Sequence, residues 1–126
     1  MTLAIPQAHR DARSRATILF ADEAGAGSHI LLKDSGGATL VTLILTYPCG
    51  VMEGGLIRLD QAAAIGDQIV ADGTAATGEW RRADGAPVAT GTVSDAAGNG
   101  DFKISSAAGV SLYAGGYVLL GVTALS

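Results

Sequence analysis

The sequence predicts a mainly β domain, either an antiparallel β-sandwich or a jelly-roll-like barrel, preceded by one α-helix. Short apolar segments recur along residues 28–126, separated by turns at intervals of roughly 8–12 residues. The 18 glycines are scattered along the chain without a repeat, as expected for many tight turns between short strands. Helical spacing is visible only near the N-terminus, whereas a parallel α/β fold needs helices between its strands.

The helix is predicted over residues 6–22. Pro6 suits the first helical turn, where the missing N–H is not needed. Small and apolar residues recur at helical spacing at Ala8, Ala12, Ala16, Leu19 and Phe20. Gly25 and Gly27 follow and can end the helix. We therefore divide the chain into an N-terminal arm and helix, residues 1–27, and a β-sandwich domain, residues 28–126.

The β domain is predicted to open with a hairpin. Its arms are residues 28–33 and 38–47, and residues 34–37 form the turn. The second arm has apolar residues on both faces, which indicates a central strand covered on both sides. Pro48 and the residues after it are expected to break this strand. Shorter strands are predicted at residues 56–60 and 66–71.

The strongest local signal is the dipeptide Asp84-Gly85, which is typical of a hairpin turn. It predicts strands over residues 75–83 and 87–94. Trp80 lies in the first arm, and we expect it to be the core tryptophan, since large aromatic side chains dominate small cores. Further strands are predicted around residues 102–104, 110–113 and 117–125.

Composition narrows the classes of function. Only 16% of the residues are charged, against about 25% in an average protein, which suits a subunit of an assembly. The net charge is −4, and the two arginine clusters are not interleaved with aromatic residues, so nucleic-acid binding is not expected. The sequence has no signal-peptide pattern and no apolar run long enough to span a membrane, so we expect synthesis in the cytoplasm.

Catalytic, metal and cofactor sites are all predicted to be absent. Cys49 could in principle pair with His9 or His29 as nucleophile and base, but a lone cysteine is more often a small buried hydrophobe. A zinc site needs about four ligands with paired spacings, and these three residues are isolated. The sequence still allows a metal site in which a symmetric oligomer gathers copies of one histidine on its axis.

Two acidic features are candidate binding sites. The loop from Asp95 to Asp101 has oxygen side chains among glycines, but it lacks the ligand spacing of an EF-hand, so a plain turn is favoured over a calcium site. Scattered carboxylates could meet as in a glycosidase, yet sequence favours no pair. The chain has six aromatic residues in all, which disfavours a carbohydrate cleft.

One stretch resembles a known group of proteins. Residues 73–85 read GTAATGEWRRADG and are followed by Val88 and by Gly91-Thr92-Val93. This pattern, with the closing segment 114–118, resembles small proteins of tailed-bacteriophage structural gene clusters, which pair an N-terminal helix with a β domain rich in Ala, Gly and Thr. The resemblance implies a virion structural component with no enzymatic site.

We therefore expect a non-enzymatic tailed-phage virion protein, either a tail-tip or baseplate component to which fibres attach or a capsid decoration protein. Its partners would be other virion proteins and copies of itself, with a trimer favoured, and its location would be the virion, assembled in the host cytoplasm. Trp and Arg are favoured anchors at protein interfaces. The interface residues predicted from the sequence are Arg10, Arg13, Phe20, Arg81 and Arg82. The alternative is a carbohydrate- or ligand-binding β-sandwich module.

Overall fold

A computed structural model describes residues 7–23, 25, 27–53, 56–63, 65–95, 97–106, 109–121 and 124–125. Within these ranges only the backbone is described for residues 7–11, 13–14, 48, 51–53, 56–57 and 124–125. The described part contains one helix, α1 (Gln7–Ala21), and eleven strands. The strands are β1 (His29–Lys33), β2 (Thr39–Glu53), β3 (Leu56–Gln61), β4 (Asp67–Gln68), β5 (Gly73–Thr74), β6 (Thr77–Arg81), β7 (Pro87–Asp95), β8 (Phe102–Ser105), β9 (Ser111–Leu112), β10 (Tyr117–Leu120) and β11 (Ala124–Leu125).

Nine of these strands form one sheet in the order β11-β3-β2-β1-β6-β7-β8-β10-β4, and β5 pairs with β9 in a small second sheet. The prediction of a mainly β chain with a single N-terminal helix is confirmed. Pairing is antiparallel except between β7 and β8, which run parallel. The expectation of a wholly antiparallel sheet is therefore wrong at this one pair.

The parallel pair results from the loop after β7. Val93 lies beside Phe102, so the chain must double back within a few residues to start β8 next to the strand it has just left. Glycines make this possible, since a Cβ at Gly100 would lie 2.5 Å from the backbone nitrogen of Ser94. The Ser94 hydroxyl accepts a hydrogen bond from the Gly100 amide at 2.8 Å and holds the loop closed.

Strand β2 is longer than the sequence predicts. It continues through Pro48 to Glu53, and its pairing with β3 shifts in register between Leu45 and Gly50. A bulge of this kind accommodates proline in a strand, because the missing N–H falls where ladder bonds are already interrupted. The N-terminal half of β2 therefore pairs with β1 and the C-terminal half with β3.

The core lies inside the curled sheet. Its largest fully buried side chains are Trp80, Phe102, Ile30, Leu32, Leu40, Leu43, Leu45, Ile104, Leu112, Val41 and Val118. Trp80 occupies the predicted core position, and its indole N–H donates to the buried Ser28 hydroxyl at 3.0 Å. Phe102 lies under Gly78, where a Cβ would come within 2.7 Å of the ring.

The sheet curls until its β4 end returns to β2. Asp67 of β4 accepts a hydrogen bond from the Ile44 amide of β2 at 3.0 Å, and the Val70 amide donates to the Leu40 carbonyl at 2.9 Å. On its other side β4 pairs with β10. We call this line of contact, where β4 lies between β2 and β10, the seam.

Gln61, at the end of β3, bridges the seam with its side chain. Its amide nitrogen donates to Asp67 at 2.8 Å and to the Val118 carbonyl at 3.1 Å. Its amide oxygen accepts from the Leu120 backbone N–H at 2.8 Å. A single side chain thus bonds to two backbone groups of β10 and to Asp67 of β4.

Candidate interaction surfaces

The structure brings two of the predicted interface residues together and separates a third. The Arg82 guanidinium lies over the Phe20 ring, 5.0 Å from its centroid, which is within the range of a cation–π contact. Arg81 points instead to the outer surface of β6. Arg10 and Arg13 lie in α1, but their side chains are outside the described part of the chain.

Arg82 joins the end of the helix to the β6–β7 turn. One guanidinium nitrogen lies 2.6 Å from an Asp84 carboxylate oxygen, and the other lies 3.5 Å from Glu23. The side chain is only 17% exposed. Among the described residues, its Nε is a buried donor without a hydrogen-bond partner. Arg82 therefore holds parts of this chain together and presents little of its charge to a partner.

Arg81 belongs to an ion-pair cluster on the outer surface of β1 and β6. Glu79 accepts from Arg81 at 2.7 Å and lies 3.2 Å from the Lys33 ammonium. The hydrogen bond from Arg81 and, to a smaller extent, the one from Lys33 lower the pKa of Glu79. We call the outer surface of β1, β6 and β7 the charged face. Both cations of the cluster share the one Glu79 carboxylate within the chain.

Cys49 lies where the helix end meets β2. Its backbone N–H donates to both carboxylate oxygens of Asp22 at 3.2 Å, and its thiol is fully buried. Burial, together with the negative charge of Asp22, raises the pKa of the thiol to about 12. The thiol is therefore protonated at neutral pH, whereas the reactive form of a cysteine nucleophile is the thiolate.

The histidines considered as its partner are placed as follows. His29 lies in β1, opposite Ile44 and Arg81, and burial followed by the positive charge of Arg81 lowers its pKa. The side chain of His9 lies outside the described residues.

The acidic loop after β7 uses its carboxylates internally. Asp95 accepts hydrogen bonds from the Ala97 and Gly98 amides at 3.1 and 3.0 Å. Asp101 accepts from the backbone N–H and the hydroxyl of Thr92. These are the contacts of a plain turn. Within the described ranges, no three side chains of His, Cys, Asp or Glu are grouped to hold a metal ion.

An exposed apolar surface at the seam was not predicted from the sequence. Val118 is fully buried, so its neighbours Tyr117 and Leu119 point outward, and they are 49% and 41% exposed. Across the seam, Ile65 and Val70 are 74% and 72% exposed. With Tyr113, 62% exposed, these side chains form what we call the seam face: Ile65, Val70, Tyr113, Tyr117 and Leu119.

The sequence does carry a signal for this surface. Residues 104–126 contain no charged residue, and residues 61–71 contain only Asp67, whose carboxylate is bonded inside the seam. These two segments of low charge meet at the seam. The signal is easily missed, because each segment alone resembles an ordinary apolar strand with a turn.

Two surface depressions in the described part of the chain lie on these two faces. One of about 140 Å³ lies in the seam face and is lined by Ile69, Ser111, Tyr113 and Tyr117, among others. The other, about 430 Å³, is an open groove on the charged face that includes Thr77, Glu79, Thr90, Thr92 and Asp101. The first is apolar and aromatic, and the second is polar with carboxylates that already have partners.

The helix presents a second apolar surface beside a buried end. Leu19 is 71% exposed and Phe20 41%, whereas Ala21 is fully buried against the sheet. The last turn of α1 is thus part of the domain, while the preceding residues Ala12, Arg15 and Ala16 are exposed. No helix in the described ranges is long and apolar enough to cross a bilayer.

Comparison of the chain with protein-family models, with curated proteins and with solved structures gives no match.

Proposed function

We propose that this chain is a non-enzymatic structural protein of a tailed-phage virion that acts through protein–protein interfaces. The position would be the tail tip or baseplate, where fibres attach, or the capsid surface as a decoration protein. The observation that carries the proposal is the pair of exposed apolar surfaces, one on α1 at Leu19 and Phe20 and one at the seam face. Exposed apolar patches on small domains mark interaction sites.

The chemistry of the described residues supports a role in binding over one in turnover. The one cysteine is buried and protonated, and the carboxylates of Glu79, Asp95 and Asp101 are engaged within the chain. The low fraction of charged residues supports assembly with other virion proteins and with copies of itself, a trimer being favoured.

We also propose the finer architecture, in which the curled sheet is a jelly-roll-like barrel closed at the seam. The bonds from Asp67 and Val70 to β2, with the bridge from Gln61, support closure. A closed sheet hides most strand edges, which protects a protein held at high local concentration in a particle from edge-to-edge aggregation.

A carbohydrate- or ligand-binding module is the second candidate, favoured by the two tyrosines around the smaller depression. Its volume of about 140 Å³ is well below the roughly 300–1,000 Å³ of ordinary ligand pockets. A glycan array and a small-molecule thermal-shift screen test this role. A hit that Tyr117→Ala abolishes would favour it over the structural role.

The structural role is tested by substitution on the helix. Purified chain is mixed with candidate capsid, tail-tip and baseplate proteins, and complexes are measured by light scattering after size-exclusion chromatography. Leu19→Lys places a charge on the exposed apolar side of α1 and should weaken a virion complex about tenfold or more. Ala12→Lys adds the same charge to an exposed position that offers little apolar surface and is the matched control.

A chain that binds none of these proteins would overturn the proposal. If Leu19→Lys and Ala12→Lys weaken the complex equally, the apolar surface of α1 is not part of the interface.

A further inference from the structure

We infer that the seam face is the surface on which a second copy of this chain packs. This inference deepens the proposed function and rests on it for the biological setting, because a virion subunit works as repeated copies. Its physical basis is independent of that setting. The physical basis is the position, charge, area and shape of the seam face.

The backbone places the five residues of the seam face on neighbouring segments at the seam. Tyr117 lies opposite Gln68 in the β10–β4 pair, two residues from Val70. The Gly66 backbone approaches Val118 so closely that a Cβ there would be 2.6 Å from the carbonyl oxygen, which brings the neighbouring Ile65 to β10. Tyr113 and Tyr117 line the same depression.

The lack of charge on the seam face favours a second copy of this chain as its partner. The seam face contains no charged residue, and Asp67 and Asp72 in the neighbouring segments both accept hydrogen bonds from backbone amides. A second copy therefore meets the face without like-charge repulsion. A partner chosen by charge complementarity finds little there to recognise, since interface cores are depleted in charge and enriched in tyrosine.

The area suits association between copies. Taking about 200 Å² for an open tyrosine and somewhat less for an aliphatic residue, the seam face exposes on the order of 600 Å². This lies at the upper limit for the largest patch of a typical monomer and somewhat below the roughly 800 Å² that each partner buries in a standard interface. Contact between two such faces predicts an association of moderate strength.

Shape supports the same occupant. The depression of about 140 Å³ is close to the roughly 150 Å³ of an apolar cavity that holds one benzene molecule. That space fits one branched or aromatic side chain better than a free ligand with several ring systems. The seam face itself carries such side chains, Ile65 and Val70, as its most exposed members.

The test is analytical ultracentrifugation of the full chain alone, over a range of concentrations up to hundreds of micromolar. Wild type should form an oligomer, and Ile65→Lys/Val70→Lys should raise its dissociation constant about tenfold or more, because two charges would be buried in an apolar contact. Both side chains are almost three-quarters exposed, so the variant should keep the wild-type circular dichroism and melting temperature. Leu19→Lys tests the competing apolar surface on α1, where Leu19 is equally exposed. Ala12→Lys is the control, because it adds a charge at an exposed position outside both apolar surfaces.

Three outcomes separate the possibilities. Loss of association in the double variant but not in Leu19→Lys supports the seam face. Association that only Leu19→Lys weakens moves the contact between copies to the helix and overturns this inference. A monomeric wild type also overturns it, and if that monomer still binds virion proteins, the proposed function stands without this interface.

Discussion

The seam face and the charged face cover opposite parts of one curled sheet, yet they are built by different means. Along the charged face, β1, β6 and β7 are joined by long backbone ladders with one register shift, between Trp80 and Arg81 of β6. Lys33 and Arg81 pair with Glu79 on the outside. At the seam the ladder is short, and Gln61 and Asp67 complete it with side chains. An exposed apolar surface thus lies over a short ladder that side chains complete, whereas the charged surface lies over longer backbone ladders.

The largest effect should come from a glycine at the seam. Gly66 has a φ of +101°, and a Cβ there would lie 2.6 Å from the Val118 carbonyl oxygen. Gly66→Ala should therefore lower the free energy of unfolding by about 3 kcal/mol or more, combining backbone strain with displacement of β10. Urea denaturation measures it.

Gly85, in the β6–β7 turn, is the matched control. Its φ of +91° is similar, but a Cβ added at Gly85 would have no other atom within 4 Å. Gly85→Ala should cost only the backbone term, about 1–2 kcal/mol. Equal losses at the two glycines would show that the seam is not closely packed.

A somewhat smaller loss is expected at Gln61. Gln61→Ala leaves the Leu120 N–H and the Val118 carbonyl without this partner, which should cost about 2 kcal/mol. Gln68→Ala removes the same side chain from an exposed position of β4 and should change stability by less than about 0.5 kcal/mol. Similar values from the two variants, measured at low protein concentration, would contradict the bridging role of Gln61.

The smallest effect is expected on the charged face. Because Arg81 and Lys33 lower the pKa of Glu79 below 4.5, this carboxylate stabilises the folded chain above that pH, and the contribution is lost as the pH falls through its folded-state pKa. Glu79→Gln should lower the melting temperature only slightly at neutral pH and bring variant and wild type together in acid. Exposed ion pairs contribute little.

Asp60→Asn is the control for that experiment. Its partner Arg58 is 3.8 Å away, so the change should be smaller still. A loss at Glu79 as large as that at Gln61 would mean that the charged face stabilises the fold as much as the seam does.

Local patterns predicted much of this fold. The helix predicted over residues 6–22 occupies Gln7–Ala21, and the hairpin around Asp84-Gly85 forms between β6 and β7, because caps, periodicity and turn residues act over a few positions. The parallel β7–β8 pair was not predicted, because its register depends on how tightly Gly100 packs on Ser94.

The contacts that the predicted interface residues make within the chain could not be predicted from the sequence. Phe20 and Arg82 were both expected at an interface, but their mutual contact joins positions far apart in sequence and has no local signal. Arg81 was expected there too. The structure pairs it with Glu79 and leaves its side chain partly exposed, as at the edge of a protein interface. The seam face depends on two segments far apart in sequence, so only their shared lack of charge pointed to it.

The composition of the seam also bears on the order of folding. It joins residues 40–44, 61–70 and 116–120, so its bonds close loops of very different lengths. Loop-closure entropy delays such long-range contacts relative to local hairpins. The seam face is consequently assembled late, when β4 and β10 are both in place. The surface proposed for pairing would then exist only in the folded chain, so incompletely folded copies would lack it.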